Sequence, residues 1–357
     1  MSASTVTGVA SHPEARRVDP RERSARRRSF FLALALATAV PLLGLPLYGL
    51  SHWTAPMPVL ASVMAVWIVT GYGHVMCTVW FGADPDYRTV VRDNRPRILL
   101  SLAVVPAVMA ALAIASTVVS AWLYAGFLAW QAHHYSRQNY GLLSFAAVND
   151  RSVPLPRLVS LIINVTSAAG AIGMITMPTI YPVALPRLPF ITPEVASWAR
   201  IGEIGCFIAA ALLIAWLLIT DRRLRGSPMV LLMLALSWAF FLPVLLPGAA
   251  QMTFWPYAMA HGAQYLIIMG VTSRRSPRGW IGFGLFAASA VVLGAIVFHP
   301  PGIVLIQAYT GVVIWHFLAD ARLWRLRDPA IRAVVSRRFD FLFGAVSGPA
   351  APRARPS

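Results

Sequence analysis

Charge is what this chain has least of. Only 12% of its 357 residues are Asp, Glu, Lys or Arg, against about 25% in a soluble domain, so a water-facing surface has too few charged groups to cover it. Lysine is absent: all 30 basic residues are arginine, against 13 acidic ones, a bias that reads as codon usage rather than function. The net charge of +17 is not a nucleic-acid footprint. The arginines gather in short stretches between apolar runs, which is how membrane loops carry them. Cysteine is nearly missing too. Cys77 and Cys206 both fall inside apolar segments and supply neither a disulfide framework nor a thiolate metal site. Walker, Rossmann and Ser–His–Asp signatures are absent, as are the paired HxxHH boxes of desaturases.

What is present is apolar: 58% hydrophobic residues and a mean hydropathy of +0.65. Several runs exceed the roughly 18 residues that mark a membrane span. The pattern predicts an all-α fold, a polytopic integral membrane helical bundle of about ten transmembrane helices. In the first half they fall near Ser29–Leu50, Pro56–Phe81, Arg97–Ser116, Thr117–Gln138 and Leu155–Met177. The second half continues near Ile201–Thr220, Pro228–Leu246, Met252–Thr272, Gly279–Phe298 and Gly302–Trp324.

Residues 1–28, rich in Arg, Ser and Pro, read as a disordered cytoplasmic tail. Residues 29–324 form the bundle, and residues 325–357 a cytoplasmic C-terminal segment, disordered after about residue 343. "RRRSFFLAL" (Arg26–Leu34) resembles a twin-arginine export signal. Without a small-residue cleavage site behind it, an arginine cluster anchoring a first helix is the better reading. All but two of the arginines lie in the tails or in connections of one parity; Arg187 and Arg200 fall in loops on the other side. That asymmetry places both termini in the cytoplasm of a bacterial plasma membrane. The proline-rich outer loop Met177–Glu194 reads as a segment lying on the membrane surface or as a cap on the bundle. No internal repeat of the kind many secondary transporters show is visible.

Against this background the histidines stand out. His12, His52 and His299 fall in the tail and outer loops and read as solvated. The other five, His74, His133, His134, His261 and His316, fall on the second, fourth, eighth and tenth predicted helices. All four helices run from outside to inside and bring imidazoles to overlapping depth. One histidine in a membrane helix often does no more than bond its neighbour. Five on four helices mark a site, because ionisable groups in hydrocarbon are costly and face the bundle interior. Adjacent His133 and His134 point about 100° apart, so one of them faces that site directly.

Their neighbours fit. "WHFLAD" places His316 and Asp320 at i, i+4, where the carboxylate can orient the ring or pair instead with Arg322 or Arg325. "YAMAHGAQY" sets Tyr257, His261, Gln264 and Tyr265 on one stripe, and "WQAHHYSRQNYG" stacks His134 on Gln131 and Gln138. Neutral imidazoles gathered at one depth suit a divalent transition metal with open positions. They also suit haem through two axial histidines, or a proton relay in a transporter.

The same four segments resemble the Brp/Blh membrane carotenoid dioxygenases. The counterparts of that family's histidine motifs are "GHVMCT" at His74, "AHHYSRQ" at His133 and His134, "AHGAQY" at His261 and "WHFLAD" at His316. The resemblance implies histidine-held iron and oxidative cleavage of a polyene such as β-carotene. The chain departs from the family's pattern at Tyr265, where a histidine is expected, and at Thr78, where an aspartate is.

The sequence therefore predicts a membrane oxidoreductase of oxygenase type. His74, His261, His316 and one of His133 and His134 hold the metal, Fe(II) in the first instance. Asp320 and Gln264 stand behind them, while Tyr265 or Tyr135 donates a hydrogen bond to bound oxygen or substrate. The expected partners are the lipid bilayer and a hydrophobic lipid or isoprenoid, entering between helices, with no nucleic acid.

Overall fold

The structure is a computed structural model that describes residues 19–51, 57–149, 155–176, 191–245, 254–274, 276, 279–298 and 303–343. It is all-helical, with no strand among the described residues. The helices are α1 (Pro20–Ser51), α2 (Met57–Trp67), α3 (His74–Met76), α4 (Trp80–Ala83), α5 (Arg88–Ala115), α6 (Thr117–Asn149), α7 (Arg157–Thr176) and α8 (Pro193–Thr220). They continue as α9 (Arg222–Arg225), α10 (Pro228–Ala239), α11 (Phe254–Arg274), α12 (Gly279–Phe298), α13 (Ile303–Leu323), α14 (Pro329–Arg338) and α15 (Asp340–Phe343). Among the described residues, six helical stretches are long and apolar enough to cross a membrane. They are Pro20–Gly44, Ala61–Ala83, Arg88–Ala115, Arg157–Thr176, Pro193–Thr220 and Pro228–Leu245. By length and composition this is an integral membrane protein.

The perimeter says the same. Helices α5, α8 and α12 turn Leu100, Ile114, Trp198, Leu212, Phe283 and Val291 outward. Apolar faces of that extent are unusual on a soluble monomer and suit lipid. Inside, α13 packs along α5, α1 along α11, and α6 along α7.

Several boundaries differ from the sequence expectation: α5 starts at Arg88 rather than Arg97 and α10 ends at Ala239 rather than Leu246, and three further differences bear on the site. The stretch 20–28, expected to be disordered, is helical. Asp19 caps it by accepting the Arg21 N–H at 2.9 Å, with Pro20 in the first helical position, where its missing N–H does no harm. Helix α8 starts at Pro193 rather than Ile201, because Thr192 caps it by accepting from the Val195 N–H. Arg200 is therefore not a loop residue. It lies within α8, and its guanidinium donates to the carbonyls of Val244 and Leu245. Helix α6 runs on to Asn149, so "WQAHHYSRQNYG" is mid-helix rather than an inner helix end. Residues 1–18, most of the Met177–Glu194 loop, His12, His52, His299 and the tail after residue 343 lie outside the described residues.

One expected helix is broken in an informative place. Between α2 and α4 the chain passes through a π-turn, Ile68–Gly73, then α3, then a 3₁₀ turn, Cys77–Val79. Wide turns of this kind occur most often at functional sites. His74 is the first residue after the π-turn.

Two apolar clusters fill the interior. One contains Trp80, Leu142, Tyr265 and Trp315; the other contains Val75, Ala132, Ala260 and Phe317. The chain neighbours of His316, Trp315 and Phe317, are divided between the two, as are Val75 and Tyr265 beside His74. The imidazoles thus lie at the seam where the clusters meet.

Candidate metal centre

His74 is set by the wide turn that precedes it. The carbonyl of Thr70 lies 2.6 Å from His74 Nδ1. A carbonyl only accepts, so the imidazole carries its proton on Nδ1 and presents a bare Nε2. Helix α11 meets the same turn at Gly262, beside His261. A Cβ there would land on the Thr70 carbonyl oxygen and 3.0 Å from His74 Nδ1. Only glycine lets the two backbones approach this closely, and the approach brings His261 against His74 with ring centroids 4.8 Å apart.

His134 comes from α6 and His316 from α13. His134 meets His261 at 4.9 Å and His316 at 5.4 Å, and His316 meets His74 at 5.1 Å. The four imidazoles therefore form a closed ring, each touching two others. His74, His261 and His316 are buried. Their nitrogens lie within 4.8 Å of one another, and so do the ligand atoms of His134, His316 and Asp320. His316 Nδ1 is 2.6 Å from Thr78 Oγ1, a contact between buried groups. What remains is unusual: Nε2 of His74, His134, His261 and His316 is buried without a hydrogen-bond partner, as is Nδ1 of His261. Buried polar atoms are nearly always satisfied, and each exception needs an explanation.

His133 does not join them. It is exposed, because a 100° step turns it out of the ring; the choice between the adjacent histidines falls on His134. Asp320 is paired with neither Arg322 nor Arg325 among the described residues. Its Oδ1 accepts the Tyr265 hydroxyl at 3.0 Å, and its Oδ2 lies 3.7 Å from His316 Nε2. Gln264 departs from its expected role. Its Nε2 donates to Thr38 at 2.7 Å and to Asn139 at 3.2 Å, and its Oε1 accepts from Gln138 at 2.7 Å. Gln138 also donates to the His261 carbonyl at 3.0 Å. Gln264 thus cross-links α1, α6 and α11 and orients no ring. The Tyr135 hydroxyl is engaged by Gln131, and its ring lies 4.4 Å from that of His261.

Two cavities reach the imidazoles. A small one of about 80 Å³ meets His74 and is bordered by Tyr72, Tyr124, Gln131, Tyr135 and Tyr309. A larger one of about 770 Å³ opens at the side of α6 and α13, with His134, Tyr265 and Asp320 among its lining.

No protein-family model, curated protein or solved structure matches the chain. The geometry adds what the histidine pattern missed: Thr70, Thr78 and Gly262. Thr78 and Tyr265, the two departures from the carotenoid dioxygenase motifs, both hydrogen-bond to groups of this cluster.

Proposed function

We propose that the chain is a membrane-embedded metalloenzyme in which His74, His134, His261 and His316 hold one divalent transition-metal ion. The carrying observation is the closed ring of four imidazoles, each with Nε2 buried and unpartnered. Left unsatisfied, such groups cost about 1–3 kcal/mol each; a cation would answer them, at His74, His261 and His316 or at His134, His316 and Asp320, two groups that share His316. Thr70 supports this by holding the proton of His74 on Nδ1, the arrangement that bears on metal-bound histidines.

The donor set favours iron. Nitrogen and carboxylate donors without a thiolate suit iron, copper or zinc, and two histidines with one carboxylate are the ligands of non-haem Fe(II) oxygenases. His134, His316 and Asp320 form such a group. His316 belongs to both candidate groups, and its Nδ1 is engaged by Thr78, so its single Nε2 serves one ion rather than two. Haem is less favoured, because adjacent rings pack edge to face at 4.8–5.4 Å with no slab between them. When bound, the metal supplies oxidative chemistry, and the chain's own groups position it. Asp320 is held by Tyr265, while the cavity walls keep a lipid or isoprenoid beside His134 and exclude bulk water. The arginine asymmetry supports about ten spans with both termini cytoplasmic.

Protein purified in mild detergent without a His tag should contain iron near one equivalent by elemental analysis. His316→Ala should remove it. A wild-type protein free of every transition metal, or a His316→Ala variant with full metal content, would overturn the assignment.

A further inference from the structure

The larger cavity is two-faced. Its walls carry Trp130, Phe145, Ile268, Phe317 and Trp324, an apolar lining of side chains from α6, α11 and α13 and the turn after α13. Its rim carries four arginines, Arg137, Arg322, Arg325 and Arg327. They come from two separate parts of the chain, α6 and the end of α13 with its following turn. None has a carboxylate within ion-pair distance among the described residues, whereas Arg26, Arg200 and Arg338 each have one. Asp320, the one carboxylate in the lining, is engaged by Tyr265 and lies against His316. Arginines at the inner edge of a membrane protein need no further reason. Four converging on the mouth of one cavity, with no anion supplied by the protein, do.

We infer that the cavity takes an amphiphile with an anionic head, a phosphate or a carboxylate. The arginine rim holds the head and the aromatic walls hold the chain beside His134 and Asp320. A volume of about 770 Å³ lies within the roughly 300–1,000 Å³ of small-molecule sites. Guanidinium groups recognise phosphate and carboxylate through paired N–H donors. Arg322 lies on a different face of α13 from Asp320, yet both line this one cavity, so a head held at the rim leaves the chain that follows it on the histidine side. A neutral, symmetric hydrocarbon leaves the four guanidiniums unanswered. The chemistry invoked rests on the metal reading above; the binding does not.

The test measures binding of four probes to the full chain in phosphatidylcholine nanodiscs: dodecyl phosphate, dodecanoate, dodecanol and inorganic phosphate. Quenching of the cavity tryptophans gives the affinity, and metal content is recorded for each sample. Dodecyl phosphate, dodecanoate or both should bind at least tenfold tighter than dodecanol, with the stronger of the two naming the head group. Arg322→Gln/Arg325→Gln should reduce that affinity to the dodecanol level while metal content is unchanged. Should the double variant fail to fold, salt titration of the wild type gives the same answer, since only the anionic probes should weaken with ionic strength. Equal affinity for dodecanol and both anions overturns the inference. So does inorganic phosphate binding as tightly as dodecyl phosphate, which would make this a simple anion site. Anion preference in a protein without metal would leave the inference standing and remove the metalloenzyme.

Discussion

Thr78→Val is the sharpest test of the metal centre, because it changes one atom's chemistry and little of its shape. In a neutral imidazole one nitrogen donates and the other accepts. If His316 offers a lone pair through Nε2, its Nδ1–H donates to Thr78 Oγ1 across the 2.6 Å contact. His316 is fully buried and Thr78 is 4% exposed, so no solvent replaces the lost hydroxyl. Valine leaves the N–H unsatisfied at about 1–3 kcal/mol. Removing such a supporting hydrogen bond lowers metal affinity about 10–100-fold, or about 1.4–2.8 kcal/mol, and the two ranges agree. The assay is iron retention against a chelator of known affinity, with Thr78→Ser as the control that restores the acceptor. A Thr78→Val protein that holds iron as tightly as wild type would mean that Thr78 donates instead. His316 would then present an N–H to the cluster, and the four-histidine centre would fail.

His134→Ala should lose iron while His133→Ala keeps it, since only the former faces the ring; equal loss in elemental analysis would contradict the placement. Gly262→Ala puts a methyl group on a backbone carbonyl that has no rotamer in which to retreat. It should destabilise by at least the 1–3 kcal/mol of ordinary overpacking, with thermal midpoint and iron content falling together; an unchanged midpoint would show that α11 can shift. Arg338 binds Asp84 at 3.1 Å, Asp86 at 2.5 Å and the Thr272 carbonyl at 2.6 Å. Arg338→Ala strands the buried Asp84 charge and should cost about 3–5 kcal/mol, measured as a loss of thermal stability in nanodiscs, with Arg338→Lys recovering part of it.

The site was legible where its chemistry is rare. A histidine in an apolar helix is conspicuous, so His74, His261 and His316 could be read from the sequence, whereas the choice of Asp320 between His316 and Arg322 or Arg325 stayed open. Between His133 and His134 the choice turns on a single 100° step, and the phase of α6 is set by packing rather than by its own uniformly apolar pattern. Thr70 and Thr78 were illegible, since threonine is an ordinary helix-surface residue whose use as an acceptor depends on a neighbouring chain. The π-turn leaves no periodic trace, because one extra residue in a short segment shifts the phase less than composition blurs it. Gly262 carried a signal that was overlooked: glycine inside a helix costs about 1 kcal/mol relative to alanine and persists where two backbones must meet. Two helix starts were missed although their caps are spelled out in the sequence, Thr192-Pro193-Glu194 and Asp19-Pro20.

The Arg338 clasp also sets an order of assembly. Its guanidinium joins the turn before α5 to the end of α11, so it braces the segments that carry His74 and His261. Asp84 is made 254 residues before the arginine that neutralises it. At roughly 5–20 residues per second, that carboxylate waits about 13–50 s for its partner. His74, His134 and His261 are made well before Arg338, and until it arrives the brace between two of their segments is missing. Metal acquired by the nascent chain would enter a site whose geometry is not yet fixed, whereas metal acquired after release meets a closed one. If the cluster holds an ion as proposed, the geometry that would select it is complete only once the last helices are in place.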